Sequence, residues 1–145
     1  IESLNDREAR LNPRTNERLR WFGSLPKVEL VDLYLAADVN VVTFMHAPLF
    51  YENSPNKFFD GIAAGLPTVF NRSTWLEPWL KEYDCGVVCK GDRPGTEMAG
   101  SFRRLADDPE LRQRMGRNAR RLAEEVFDRD KLAAEYLEIL RGVVR

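Results

Sequence analysis

The sequence predicts an α/β domain built on a mostly parallel sheet with helices on both faces. Three observations predict it. Short runs dense in β-branched and aromatic residues recur at residues 19–22, 39–44, 68–70 and 86–88. Stretches of helical periodicity separate them, so the strands must be joined by crossovers and run parallel. Helix start and stop signals mark the junctions, with proline just inside a start and glycine just past an end.

Leu19, Trp21 and Phe22 make the first expected strand, which stops at Gly23. A helix is expected from Pro26 to Ala37, with Val28, Val31 and Leu35 as its apolar stripe. Residues 39–44 form a second strand, rich in valine and threonine. A helix over residues 55–64 follows, closed by Gly65, with Pro67 just beyond to launch the third strand at Thr68. A short helix from about Trp79 to Tyr83 precedes the fourth strand at Gly86.

The remainder reads as helix. Met98, Phe102 and Leu105 mark one, and Asp108 caps the next, with Pro109 at its first position and Leu111, Met115, Leu122 and Val126 inward. Leu132, Tyr136, Leu137 and Leu140 mark a terminal helix within residues 128–145. The whole of 1–145 is expected to be a single domain, incomplete at its N-terminal side, because a charged segment precedes the first strand.

At 145 residues the chain can bury one substantial core. Hydrophobic residues at 43% and charged residues at 31% fit a folded protein and exclude disorder. The formal net charge of −1 gives no field that favours nucleic acid. No apolar run approaches the roughly 20 residues of a bilayer span, and nothing reads as a leader peptide. Cys85 and Cys89 would share one face of a strand. With no histidine or second cysteine pair near them, they read as buried free thiols, not metal ligands, which fits a reducing cytoplasm.

Ligands of open parallel sheets bind beyond the carboxyl ends of the strands. That face is expected to be built by Gly23, Ser24 and Leu25, by the loop over residues 45–54, and by residues 71–74. Ser54 is expected to cap the helix that follows, with Pro55 at its first position, so that free N–H groups face the cleft and attract phosphate. Asn53, Asn56, Lys57 and Asp60 recur at helical spacing as one polar stripe, while Phe58, Phe59 and Ile62 face the core. Glu52 stands before the helix on the cleft side. Carboxylates, amides, a lysine and a helix N-terminus suit a ligand that carries sugar hydroxyls and a diphosphate. A solvated helix face accounts for the same pattern equally well.

Glu52, seven residues, Asp60 and then Gly61, Ala64, Gly65, Leu66 and Pro67 resemble the paired-acid motif and small-Gly-x-Pro tail of family 4 glycosyltransferases. The run Asn53 to Lys57 is similar to a subgroup that builds bacterial surface polysaccharides, lipopolysaccharide among them. Phe22-Gly23, Ala36-Ala37-Asp38-Val39, Asp107-Asp108-Pro109-Glu110-Leu111, Met115-Gly116 and Asn118-Ala119 match further signatures of that family.

The resemblance implies a Rossmann-like donor domain, one half of a two-domain GT-B enzyme whose acceptor domain lies outside this sequence. It implies that Glu52 contacts the donor sugar as the catalytic carboxylate and that Asp60 binds the ribose diol. The helix N-terminus, with Asn53, Ser54, Asn56 and Lys57, would hold the diphosphate, and Gly23 and Ser24 would lie near the base.

The reaction implied is a retaining transfer from a nucleotide sugar, UDP-linked by expectation, without metal or other cofactor. A glycan or lipid-linked acceptor would be the partner, in the cytoplasm or at the inner membrane face, and the isolated chain would be inactive. Asp60 departs from the family's glutamate by one methylene. A sugar-nucleotide epimerase of the same fold and a non-catalytic nucleotide-binding or membrane-docking module are the competing readings.

His46 and Arg72 share the ligand face and are further candidates for donor contact. Trp75 and Trp79 read as packing groups before sugar platforms. Arginines between 103 and 121 read as a solvated helical face, with contact to anionic lipid as the alternative.

Overall fold

The computed structural model describes residues 22–45, 47, 51–91 and 93–143. The chain divides into two compact units, Ile1–Leu30 and Val31–Arg145. In order, the elements are α1 (Lys27–Ala36), β1 (Asn40–Val42), α2 (Asn56–Ala63), β2 (Thr68–Phe70), α3 (Glu77–Glu82), β3 (Gly86–Val88), α4 (Pro94–Asp107), α5 (Pro109–Glu125) and α6 (Arg129–Val143). The three strands lie in the order β1-β2-β3, both pairs parallel, with Val41 level with Val69 and Val69 level with Val87.

Successive side chains of a strand point to opposite faces, and both faces of this sheet are covered. Val42 and Phe70 join Phe58 and Ile62 of α2, Leu80 of α3, and Ala119 and Leu122 of α5 in one buried cluster. Val69 points the other way, into a cluster with Leu105 of α4 and Leu111 and Met115 of α5. The α/β class, the parallel pairing and the two covered faces agree with the sequence.

Local signals account for the helix ends. After α2 the chain turns through Gly65 at φ 73°, with Gly65 N–H donating to the Ile62 carbonyl and Leu66 N–H to that of Gly61, both at 3.0 Å. That is the paired closure for which glycine is favoured. Asp108 Oδ1 accepts from Leu111 N–H at 2.9 Å and caps α5 as expected. Gly116 lets α5 approach the end of α2, since a Cβ there would fall 2.5 Å from the Gly65 carbonyl.

Several expectations need correction. Three of the four expected strands stand among the described residues. The first expected strand falls on residues 19–21, outside the described residues, and on Phe22, which is irregular and exposed. β1 ends at Val42 and not at residue 44, because Phe44 bonds to the Asn71 side chain instead of a ladder partner.

Val28, Val31 and Leu35 are exposed on α1, and Leu30, Leu33 and Tyr34 are its half-buried residues. Leu30, Leu33 and Tyr34, at i, i+3 and i+4, meet a helical spacing one face over. Leu132, Tyr136, Leu137 and Leu140 of α6 are exposed as well. Cys85 and Cys89 are buried free thiols, yet they enter different clusters, because Cys85 precedes β3 and so escapes the strand's alternation.

Candidate functional site

The carboxyl ends of β1 and β2 open onto two loops that are tied together. Asn71, directly after β2, accepts from Phe44 N–H and donates to the Phe44 carbonyl, both at 2.8 Å. Its amide thereby imitates one further step of the ladder. Arg72 donates to the carbonyls of Met45 and Ala47. Farther along, Trp75 N–H donates to the Tyr51 carbonyl at 3.2 Å, and its indole Nε1 donates to that of Asn53 at 3.2 Å. Arg72 thus braces a loop on the face where donor contact was expected of it. Its Nε is buried and has no acceptor among the described residues.

Beyond this loop α2 begins. Pro55 occupies the cap position in an extended conformation (φ −75°, ψ 124°), and no side chain caps the helix. This corrects the expected cap at Ser54. With Pro55 extended, the first helical residue is Asn56, and the Ser54 hydroxyl lies one residue too far back. Phe58 N–H reaches the Pro55 carbonyl at 2.9 Å, so the N–H groups of Asn56 and Lys57 have no acceptor within the helix. An uncapped end of this kind is suited to anionic oxygen.

Glu52, Asn53, Ser54, Asn56 and Lys57 are exposed, and Asp60 is half-buried one turn into α2. The expected stripe is therefore three helical residues, Asn56, Lys57 and Asp60, while Asn53 belongs to the loop and its carbonyl is held by Trp75. Phe58 and Ile62 are fully buried and Phe59 packs against the same cluster, as the sequence implied. His46 lies outside the described residues. Gly23 and Ser24 belong to the first compact unit, where both are exposed and Gly23 takes φ 69°.

Two residues were missed from the sequence. Tyr34 of α1 has its phenol pKa raised, first by burial and then by the negative charge of Asp60. The i, i+4 pair Leu30 and Tyr34 was the available signal. Asn40 opens β1 and sends its side-chain amide to the Lys57 carbonyl at 2.9 Å and to Thr68 Oγ1 at 3.3 Å. An asparagine set among the valines of the expected strand was the sign of it.

A cavity of about 400 Å3 opens at the other end of the sheet, lined by Asp38, Pro67, Arg112, Arg117 and Arg120 among others. Arg112 there pairs with Asp38 at 3.2 Å, and Arg120 pairs with Glu124 at 2.7 Å and donates to the Ala63 carbonyl. Arg114 and Arg121 pair with Asp84 and Glu125. Four of the arginines are thus matched by carboxylates, Arg112 and Arg114 by ones distant in sequence and Arg120 and Arg121 by ones four residues along α5, as on a solvated face. Trp75 and Trp79 both pack edge-on against Phe127, as packing groups do.

The family described as glycosyl transferases group 1 matches residues 7–122. The chain belongs to this family. Among curated relatives of this group 1 glycosyltransferase chain, it is 32% identical over 114 residues to the lipopolysaccharide core biosynthesis glycosyltransferase LpsD of Rhizobium meliloti (strain 1021). That alignment covers 76% of this chain and 31% of the relative.

It is also 32% identical over 103 residues to a D-inositol 3-phosphate glycosyltransferase of Corynebacterium glutamicum (strain R), covering 71% of this chain and 23% of that protein. The corresponding Corynebacterium efficiens protein is 32% identical over 104 residues, at 72% and 23% coverage. The chain thus spans between about a quarter and a third of the length of the relatives it matches. No solved structure matches it.

Proposed function

We propose that the chain is the donor-binding half of a retaining glycosyltransferase that moves a sugar from a nucleoside diphosphate to a glycan or lipid-linked acceptor. The observation that carries this reading is the uncapped start of α2. Free N–H groups at Asn56 and Lys57, the Lys57 ammonium, and carboxylates at Glu52 and Asp60 occur within nine residues, beyond the carboxyl end of β1.

In this reading the diphosphate sits on the helix end, where the N–H groups and Lys57 take up the negative charge that grows as the anomeric C–O bond breaks. The diphosphate leaves with the electron pair of that bond, and the acceptor hydroxyl forms the new bond and releases its proton. Glu52 accepts from hydroxyls of the transferred sugar, and Asp60, shorter by one methylene than the family's glutamate, accepts from the ribose diol. No metal is required, because the helix end and Lys57 already supply positive charge. UDP is the expected carrier, and the acceptor is held by a domain outside this sequence.

The relatives' names favour sugar transfer over the epimerase and non-catalytic readings, and the LpsD name favours an acceptor in polysaccharide assembly. The described helices include none long and apolar enough to cross a membrane. The carboxylate partners of the arginines favour a site reached from water over one buried in a headgroup layer.

The test is the stereochemistry of transfer by the complete protein. NMR of the first-formed product is expected to show the anomeric configuration of the donor sugar. An inverted product contradicts the retaining assignment, and an epimerised nucleotide sugar with no transfer contradicts the reaction class.

A further inference from the structure

One residue from another loop grips the segment that carries Glu52 on both sides of that residue. Trp75 donates its backbone N–H to the Tyr51 carbonyl and its indole N–H to the Asn53 carbonyl, each at 3.2 Å. Glu52 lies between those two carbonyls. The donors are 22 to 24 residues away in sequence and belong to the segment after β2, which Asn71 already fastens to the end of β1. On its far side the Trp75 ring rests edge-on against Phe127, with ring centres 6.5 Å apart, so the indole is held from the core while it holds the loop.

We infer that Trp75 is a positioning residue for Glu52: its two N–H groups fix the chain on either side of the carboxylate and set where that carboxylate meets the donor. The inference rests on the reading that Glu52 contacts the transferred sugar. Both acceptors are backbone carbonyls, so the brace fixes the path of the chain whatever side chains neighbour Glu52. Arg72, on the carbonyls of Met45 and Ala47, performs the same task at the start of the loop.

The test removes the indole N–H and keeps the ring. Trp75→Phe is one variant. The second places benzothienylalanine at position 75 alone, a bicyclic ring of nearly the same shape that has sulfur in place of N–H. Hydrogen exchange of the position-75 amide, which donates to Tyr51, reports the brace. Titration of the full-length protein with UDP and with UDP-glucose reports the site.

Exchange is expected to quicken about 3- to 10-fold, the loss of one neutral hydrogen bond. Affinity for UDP-glucose should fall by a similar factor while UDP is unchanged. Unaltered exchange in the benzothienylalanine protein overturns the inference, whatever the ligands do. Faster exchange with both affinities unchanged leaves the brace standing and removes the role assigned to Glu52.

Discussion

Asn40 Nδ2 donates to the carbonyl oxygen of Lys57 across 2.9 Å, and so a buried amide at the start of β1 holds the helix that bears the candidate diphosphate site. The same nitrogen reaches Thr68 Oγ1 on β2 at 3.3 Å. Gly61 makes room for it, since a Cβ at that position would fall 2.1 Å from Asn40 Nδ2. Strand, helix and neighbouring strand meet at this one side chain.

Gly61→Ala is expected to destabilise the protein by about 2–3 kcal/mol through overpacking, and Asn40→Ala by about 1–3 kcal/mol through two lost hydrogen bonds. Together they should cost less than their sum, because removing the amide vacates the space that the new methyl needs. Urea denaturation of the four proteins measures the coupling, and strict additivity would show that the two residues do not share that space.

Glu77 predicts the behaviour in acid. It is buried and paired with Lys81 at 3.0 Å and with Lys90. The Lys90 ammonium, chiefly, holds its carboxyl down at about 2, against a smaller opposing effect of burial. A depressed carboxylate stabilises the fold fully above its unfolded value of 4.5 and loses that contribution as pH falls toward 2. Glu77→Gln should lower stability at pH 7 by about 2 kcal/mol, discounted for the exposure of both lysines. It should also flatten the stability curve between about pH 4.5 and 2. Denaturation midpoints across that window check it, and an unchanged acid slope refutes it.

The two thiols should be inert in the native state. Burial pushes Cys85 up to about 12, with Asp84 adding to the rise, and burial also raises Cys89. A thiol reagent at pH 8 is expected to modify neither until denaturant is added. Rapid native labelling of either would contradict the packing described for them.

The fold was legible where the signal is local. Thr68–Phe70 lies between a glycine-proline stop and a polar turn, and Asp108-Pro109 announces a helix start, and both stand where the sequence places them. Ser54-Pro55 carries a similar signature and misled by one residue, because the backbone torsion of Pro55, invisible in the sequence, decides which residue is the cap. The apolar stripes of α1 and α6 are real, but spacing identifies a face without saying what covers it. The braces at Asn71, Arg72 and Trp75 were beyond reach for another reason. A side chain that donates to a backbone carbonyl some 25 residues away has no spacing rule and needs no particular partner residue.

The central claim, that the segment from Glu52 to Asp60 holds a nucleotide sugar, is tested most directly by calorimetric titration of three variants. The ligands are the nucleoside diphosphate that the wild type prefers and its hexose conjugate. Asp60→Ala should weaken both ligands alike, by about 1.5–3 kcal/mol for a lost charged hydrogen bond. Lys57→Ala should weaken both in a salt-dependent manner. Glu52→Gln should spare the diphosphate and weaken only the conjugate. If all three variants bind both ligands as the wild type does, the polar residues of α2 are a solvated helix face and the donor site lies elsewhere.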